Sequence, residues 1–487
     1  MGVDGAGGAE LDVAGPDLPG VDLPPTGERV GVADPGPASL PSLVRSWWWS
    51  LPLVLLGISL RIIAVLGVRL YRYFDSAEYE KLDFSGRWRR PWATPLLYKI
   101  LPDDGAVVVL AQAFIGALCW IVLAFAVAAL FRRRSIQVAS ALTVVALGCT
   151  APITNWDSTM LSEPLALSLT VLVVAAWLNL VRRPTVPAAF GVLLATFPWL
   201  FVRQSLMPPA WLAFAFVAVA VVVMAVRRSS RAVVLPYAVV TVGLLVSCVL
   251  ATISYSRNTE ILHHNITTVV VDRVVPHEDV LDWFEAQGMP LPANGKLAFE
   301  SFDKDPVFQA WVAESGSSVY ARFLLDHPWY AVSKPIPDFL GANRSWLELP
   351  PFTEPKAQPV SMLASADPYG SSRSVLPGPV EEILFQGGAV GSLVFALVVV
   401  SGWALVRFRS LDERSLVPVA TVALSVVALY AAWHGATAEL PRLGLPAAVA
   451  IRVAVIVLVG LLVEVELDRR PQQPAPHRSS PTSGGTA

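Results

Sequence analysis

AVVVLAQAFIGALCWIVLAFAVAALFRRR, residues Ala106 to Arg134, sets an uncharged apolar run of 26 residues directly ahead of three arginines. About 20 apolar residues suffice for a helix to cross roughly 30 Å of hydrocarbon, so this run is long enough to span a bilayer. It is not alone. Similar runs occur near Leu51 to Tyr71, Ile136 to Pro152, Pro164 to Val181, Ala188 to Val202, Pro208 to Val226, Ala232 to Ile253, Gly388 to Val406, Leu416 to Trp433 and Leu445 to Val463. With 54% hydrophobic and 15% charged residues and a mean hydropathy of +0.56, the chain has the balance of a membrane protein and not of a water-soluble domain. The expected fold is an all-α polytopic membrane protein of about ten transmembrane helices.

Orientation follows from the arginines, because short loops rich in Lys and Arg stay cytoplasmic. Arg132 to Arg134, Arg182 and Arg183, Arg227, Arg228 and Arg231, Arg407, Arg409 and Arg414, and Arg469 and Arg470 fall on alternate loops, on the side of Arg45. Both termini are therefore predicted to be cytoplasmic in a plasma membrane. The loops Arg72 to Asp104, Thr154 to Glu163, Arg203 to Met207, Ser254 to Gln386 and His434 to Gly444 are predicted to face outward. Five segments result: a disordered tail at 1–43, a transmembrane module at 44–253 whose first outward loop is 72–104, an outward loop domain at 254–386, helices at 387–465, and a second disordered tail at 466–487. The tails are Gly-, Pro- and Ser-rich and bury too little apolar surface to order themselves. No cleavable signal peptide is expected, because the first apolar run starts late and is long enough to span. Cys119, Cys149 and Cys248 lie in or near spans and imply no disulfide framework. Lys is 6 of 36 basic residues beside abundant Ala, Val and Pro, a composition that points to a GC-rich bacterial genome.

The first outward loop, YRYFDSAEYEKLDFSGRWRRPWATPLLYK from Tyr71 to Lys99, carries positive charge where it is normally scarce. Arg72, Lys81, Arg87, Arg89, Arg90 and Lys99 either recognise a phosphate or belong to an interfacial helix that meets lipid headgroups. Asp75, Glu78, Tyr79 and Asp83 share one face if Phe74 to Phe84 is helical. A carboxylate there could take a proton from an incoming hydroxyl while nearby arginines hold a leaving phosphate; the bland alternative is a solvated helix with internal ion pairs.

On the same side, NWDSTMLSEPL from Asn155 to Leu165 places Asp157 and Glu163 at the start of a span, where the helix dipole favours an anion. Ser162 as N-cap, with Glu163 and Pro164 in the first turn, is the structural account of that motif. Arg61 and Arg452 lie within predicted spans, on the order of 10 to 15 Å deep at about 1.5 Å per residue. Buried in lipid they are costly unless paired or lining a polar cleft. Arg203, His434, Glu439 and Arg442 could border the same cleft; interhelical ion pairs are the alternative. In the large loop, Pro276 with Glu278 and Asp279 opens a helix closed by Gly288, Asp305 with Pro306 opens another closed by Gly316, and an amphipathic run follows from Val319 to Leu325. Ser333 to Ser374 is Pro-rich and expected to be irregular.

In the order of these motifs the chain resembles the GT-C glycosyltransferase superfamily, which includes the protein O-mannosyltransferases and the aminoarabinose and actinobacterial arabinofuranosyl and mannosyl transferases. Asp75, Tyr79, Gly86 and RPWATPLLY from Arg90 to Tyr98 look like the family's acidic first outward loop and its entry to the second span. Ser162 with Glu163, and then Arg203, are similar to its later motifs. The likeness runs from Leu51 to Pro209. It departs in having a single Asp with Glu78 and Asp83 in place of an acidic pair, and Pro91 with Pro95 in place of Pro-Pro. The resemblance implies a GT-C-like bundle that transfers a sugar, with inversion, from a polyprenyl-phosphate donor to an envelope glycan, lipid or protein acceptor at the outer face. Asp75 would be the general base and Asp157 or Glu163 would assist it. Arg203 with some of Arg87, Arg89 and Arg90 would neutralise the departing phosphate, and Glu78, Tyr79, Arg61 and Arg442 complete the expected substrate-binding set. No cofactor is expected and a divalent metal is not indicated, and no nucleic-acid partner is expected. Neither a P-loop, a Rossmann fingerprint nor zinc-ligand spacing occurs. The competing readings are a transporter or lipid flippase, against which the absence of an internal repeat and the one-sided acidic residues weigh, and a non-catalytic membrane scaffold.

Overall fold

The computed structural model describes residues 49–73, 75–336, 374–385, 399–400, 403, 413–435 and 440–469. The expected N-terminal tail, nearly all of the expected span from Gly388 to Val406, Glu439, most of the Pro-rich stretch after Ser333 and the C-terminal tail beyond Arg469 lie outside the described residues; the tail expected from 466 starts later, because the last helix continues to Arg469. The helices below belong to one unit, Ser50–Ala487.

In chain order they are α1 Ser50–Val65, α2 Ala93–Ile100, α3 Gly105–Ala128, α4 Arg134–Gly148, α5 Ala151–Thr154, α6 Glu163–Arg182, α7 Val186–Leu200, α8 Met207–Val226 and α9 Arg231–Ser256. Then come α10 Thr259–Val269, α11 Glu278–Ala286, α12 Phe299–Lys304, α13 Pro306–Trp311, α14 Ser317–Asp326 and α15 Pro328–Ser333, followed by α16 Gly378–Phe385, α17 Glu413–Gly435 and α18 Leu440–Arg469. Among the described residues the only β-type pairing is an isolated parallel bridge between Tyr71 and Thr159. Six helices, α3, α6, α8, α9, α17 and α18, are long and apolar enough to cross a membrane, or seven if the bent pair of α4 and Ala151–Ser158 counts as one span. The chain is thus an all-α, multi-pass membrane protein, and among the described residues fewer full-length spans are formed than the sequence predicts there.

The shortfall has local causes. α1 has 16 residues, about 24 Å at 1.5 Å per residue, because the chain leaves the helix before Gly67, which sits at φ +77°. α7 has 15 residues and contains Pro198, whose missing N–H weakens a helix interior. The expected span from Ile136 to Pro152 stops at Gly148 and resumes at Ala151 with a bend of 51°, so the stretch after it folds inward. The expected outward loop from Thr154 to Glu163 is consequently interior, with Thr154, Asp157, Ser158, Thr159 and Glu163 all fully buried.

α3 shows how an apolar helix is divided between lipid and protein. Asp104 caps it by accepting from the N–H groups of Ala106 and Val107, and Val107, Leu110, Phe114, Leu118 and Val122 form an exposed stripe. The opposite face is rich in small residues, Ala113, Gly116, Ala117 and Ala124, which let backbones approach closely in a membrane. Gly116 has a specific reason: a Cβ there would lie 2.5 Å from the Arg61 guanidinium. α8 is the extreme case, with only Pro209 and Ala210 buried.

Loops alternate between the two ends of the bundle. Arg133 pairs with Asp468, and Arg414 with Glu464, at the end carrying the arginine-rich turns. The segment 66–104 and helices α10 to α15 are at the other. Those helices pack around Val270, Phe284, Phe302, Phe308 and Phe323. α11 ends as expected at Gly288, φ +88°. Gly316 does not end its helix: α13 widens through a π-turn, Val312–Gly316, and continues into α14. The layer is fastened to α17 by Arg273, which donates to the Trp433 carbonyl and stacks on its ring, and by Tyr320 on His434 at 3.1 Å.

Because Lys296 and Ser229 are exposed at opposite ends, cysteines placed there should react with an impermeant maleimide from opposite faces of sealed vesicles. Cys119, Cys149 and Cys248 are buried and should give no background; labelling of both new positions from one face would contradict the alternation.

Candidate functional site

The site is built where the first loop is tied to the chain entering α6. Tyr71 N–H donates to the Ser158 carbonyl at 2.7 Å, and Met160 N–H donates back to the Tyr71 carbonyl at 2.9 Å. Ser76 Oγ accepts from Tyr73 N–H at 2.7 Å and donates to the Met160 carbonyl at 2.9 Å. Tyr98 donates to the Leu161 carbonyl at 2.8 Å, and Gln112, reaching from α3, donates to the carbonyls of Asp157 and Thr159. These bonds set Asp75 beside Ser162 and Glu163.

The condition that would align the carboxylates on a helix is not met: residues 76–79 form a single 3₁₀ turn, Ser76–Tyr79, with Asp75 at its start. Side chains three apart eclipse in a 3₁₀ turn, which suits one partner for both: Arg90 donates through Nη2 to Asp75 Oδ2 at 2.9 Å and through Nε to Glu78 Oε2 at 2.6 Å. Asp83 does not join them. It accepts from Ser85 N–H and Trp88 N–H, bonds that hold its carboxyl below the usual range, and it shapes the next turn. Gly86, at φ +78°, lies so close to Ser254 that a Cβ would sit 2.6 Å from its carbonyl oxygen, so the loop can settle on the end of α9 only with glycine there.

Four side chains converge from distant parts of the chain. Arg442, in the first turn of α18, donates from Nη2 to Asp75 Oδ2 at 3.0 Å and from Nε to Glu163 Oε1. Arg203 donates to the same Glu163 oxygen at 2.7 Å and to the Arg442 carbonyl at 3.0 Å. Asp75 is 4% exposed, Glu163 0%, Arg203 7% and Arg442 6%. Ser162 offers no cap to α6; its hydroxyl accepts from Tyr79 at 3.3 Å and donates to Glu163 Oε2 at 3.4 Å. Burial pushes the Tyr79 phenol up despite the adjacent Arg90 and Arg442, keeping it a neutral donor. Burial opposes the charge of Arg90, yet its pKa is raised, with the Asp75 and Glu78 carboxylates favouring the cation.

One atom stands out. Asp75 Oδ1 is buried and has no hydrogen-bond partner among the described residues. A buried polar atom without a partner costs roughly 1–3 kcal/mol, and such an atom is a natural receptor for an incoming donor.

The remaining expected residues sort into three groups. Arg89 bridges Glu78 at 3.1 Å and Glu260 at the rim, so the first loop reaches α10. Arg87 is exposed and makes no ion pair among the described residues. Arg61 and Asp157 form a separate buried bidentate pair at 2.8 and 2.9 Å, with Arg61 also donating to the Gly148 carbonyl at 2.7 Å; no contact among the described residues joins Asp157 to Asp75. Arg452 donates to the carbonyls of Leu384 and Ala448, and His434 serves the loop layer. Ser76, Ser162, Tyr98 and Gln112 were not among the expected site residues, although a glutamine within an apolar span was a visible signal. Among the described residues no three His, Cys, Asp or Glu side chains are grouped as metal ligands. No known family model matches the chain, and no curated protein matches it.

Removing one member of a buried ion pair leaves an uncompensated charge and costs roughly 3–5 kcal/mol, whereas replacing both by apolar residues is often neutral. Arg61→Met and Asp157→Leu should each destabilise by that amount and the double variant by far less, read from thermal unfolding in detergent; additive losses would mean that the pair does more than join α1 to the α5 segment.

Proposed function

We propose that this chain is a membrane glycosyltransferase that moves a sugar from a polyprenyl-phosphate donor to a hydroxyl of an envelope glycan, lipid or protein acceptor, at the extracytoplasmic face and with inversion. The observation that carries the reading is the asymmetry of Asp75: Oδ2 is held by Arg90 and Arg442, while Oδ1 is buried and has no partner among the described residues. The sidedness rests on the arginine-rich turns at the opposite end of the bundle.

In this reading the acceptor hydroxyl donates to Asp75 Oδ1. Its oxygen attacks the anomeric carbon, the bond from that carbon to the phosphate oxygen breaks, and the proton passes to Asp75. The departing polyprenyl phosphate gains negative charge as Asp75 loses its own. Arg442 and Arg90 are thereby freed from one carboxylate and can turn to the phosphate, with Arg203 beside them. Glu163, bonded to both Arg203 and Arg442 through one oxygen, holds the guanidinium groups in place, which is electrostatic preorganisation of the kind that stabilises developing charge. Glu163, and not Asp157, is the assisting carboxylate, since Asp157 is taken up by Arg61.

A second reading has an observation in its favour. Asp75, Glu78 and Glu163 stand against Arg90, Arg203 and Arg442 in a closed set of pairs, as they would if the cluster only locked α6 and α18 to the first loop in a scaffold or transporter.

The experiment is transfer in proteoliposomes supplied with polyprenyl-phosphate sugars. General acid–base catalysis contributes about 10²–10⁴-fold, so Asp75→Asn should lose that much turnover while staying folded, because Arg90 keeps its pair with Glu78 and Arg442 its pair with Glu163. An active Asp75→Asn would remove Asp75 from the chemistry, and one that unfolds with no transfer by the parent from any such donor would leave the lock reading.

A further inference from the structure

Where α1 ends and α3 begins, a cavity of about 880 Å³ opens beside the first loop. Its apolar wall includes Leu66, Val68, Val108 and Leu110, of which Leu66 and Leu110 are exposed at the level where spanning helices begin. Its rim carries Arg69, Arg72 and Lys99 against two carboxylates, Glu80 and Asp103. Arg72 is paired with Glu80 and lies 3.8 Å from Asp103. Lys99, in the last turn of α2, has no ion pair or hydrogen bond among the described residues. A hollow with an apolar side toward the membrane and a cationic lip at its polar edge has the amphiphilic layout of a lipid.

We infer that this cavity binds an acidic phospholipid, its phosphate on Lys99, Arg72 and Arg69 and an acyl chain along Leu66, Val68, Val108 and Leu110. Charge selects the acidic class, because the rim's own carboxylates, Glu80 and Asp103, both face Arg72 while Lys99 has no carboxylate partner among the described residues, and each basic residue at a membrane surface attracts anionic lipid by about 1 kcal/mol. The proposal goes beyond the transferase reading and does not need it. Tyr98 and Met160 wall the cavity, and their far sides hold the site: the Tyr98 ring stands edge-on to Tyr79 at 6.5 Å, and the Met160 carbonyl accepts from Ser76, next to Asp75. A lipid seated here would brace the wall that the cavity shares with the carboxylate cluster.

The test uses the full chain, delipidated and placed in nanodiscs of phosphatidylcholine alone or doped with phosphatidylglycerol, with retained lipid read by native mass spectrometry. Phosphatidylglycerol should be retained in preference and should raise the melting temperature. Lys99→Gln, which keeps chain length without the charge, should cut that preference roughly fivefold. Ala106→Trp, which fills the cavity, should abolish it, with both variants melting like the parent in phosphatidylcholine. Equal retention of the two lipids, or an undiminished preference in the variants, would overturn the proposal. So would one-for-one displacement of phosphatidylglycerol by polyprenyl phosphate, which would assign the cavity to a prenyl lipid. Glycosyl transfer is not read, so this proposal and the proposed function fail separately.

Discussion

Two backbone hydrogen bonds between Tyr71 and the Ser158–Met160 strand of chain are the constraint on which the polar end of this protein depends. They bring together a loop that follows α1 and a segment that has folded back into the bundle after α4. Neither piece would be ordered alone, since each is short, irregular and rich in groups that need partners. Pinned together, they satisfy one another's backbone and leave their carboxylates aimed at arginines from α18 and from the turn after α7. Arg442 and Asp75 are 367 residues apart, so the cluster also joins the early and late parts of the chain.

Three of the buried carboxylates, Asp75, Asp157 and Glu163, differ in how completely they are satisfied. Asp157 gives both oxygens to Arg61. Glu163 gives Oε1 to two arginines and Oε2 to Ser162. Asp75 alone keeps one oxygen back. A bidentate pair or a doubly bonded carboxylate is a finished interaction in a low-dielectric setting, whereas a half-satisfied one carries a standing cost that evolution retains where something else binds. Position thus matters less than saturation: Asp157 and Asp75 lie on neighbouring segments, yet only one has unused capacity.

Much of this was legible in the sequence, and what was missed has a common cause. Apolar length located the six full-length spans, because it depends on composition over long windows. Asp75, Glu163, Arg203 and Arg442 were visible as charges near span ends. The 3₁₀ turn after Asp75 was hidden because helical spacing of Asp75, Glu78 and Asp83 says nothing of Arg90, which grips two of them across that turn and leaves Asp83 to cap Ser85. The inward fold after Gly148 was hidden for the same reason. Its anchor, Arg61, lies 96 residues earlier than Asp157. Ser162 matched the N-cap pattern, and only the nearness of Tyr79 and Glu163 gives its hydroxyl other work.

The closed pairing of the cluster bears on how an anion could enter it. A phosphate approaching Arg203 and Arg442 meets guanidinium groups already neutralised by Glu163 and Asp75, so it must compete with carboxylates instead of filling an empty positive hole. Arginine suits that exchange, since its planar fork can hold one acceptor through Nε while releasing another through Nη2. Arg442 is arranged this way, with Nε on Glu163 and Nη2 on Asp75. Protonation of Asp75 weakens the Nη2 contact and leaves the Nε contact intact, which couples arrival of a proton on one side of Arg442 to availability of a cation on the other. A lysine at this position would present a single charge with no such division, and the coupling would be lost.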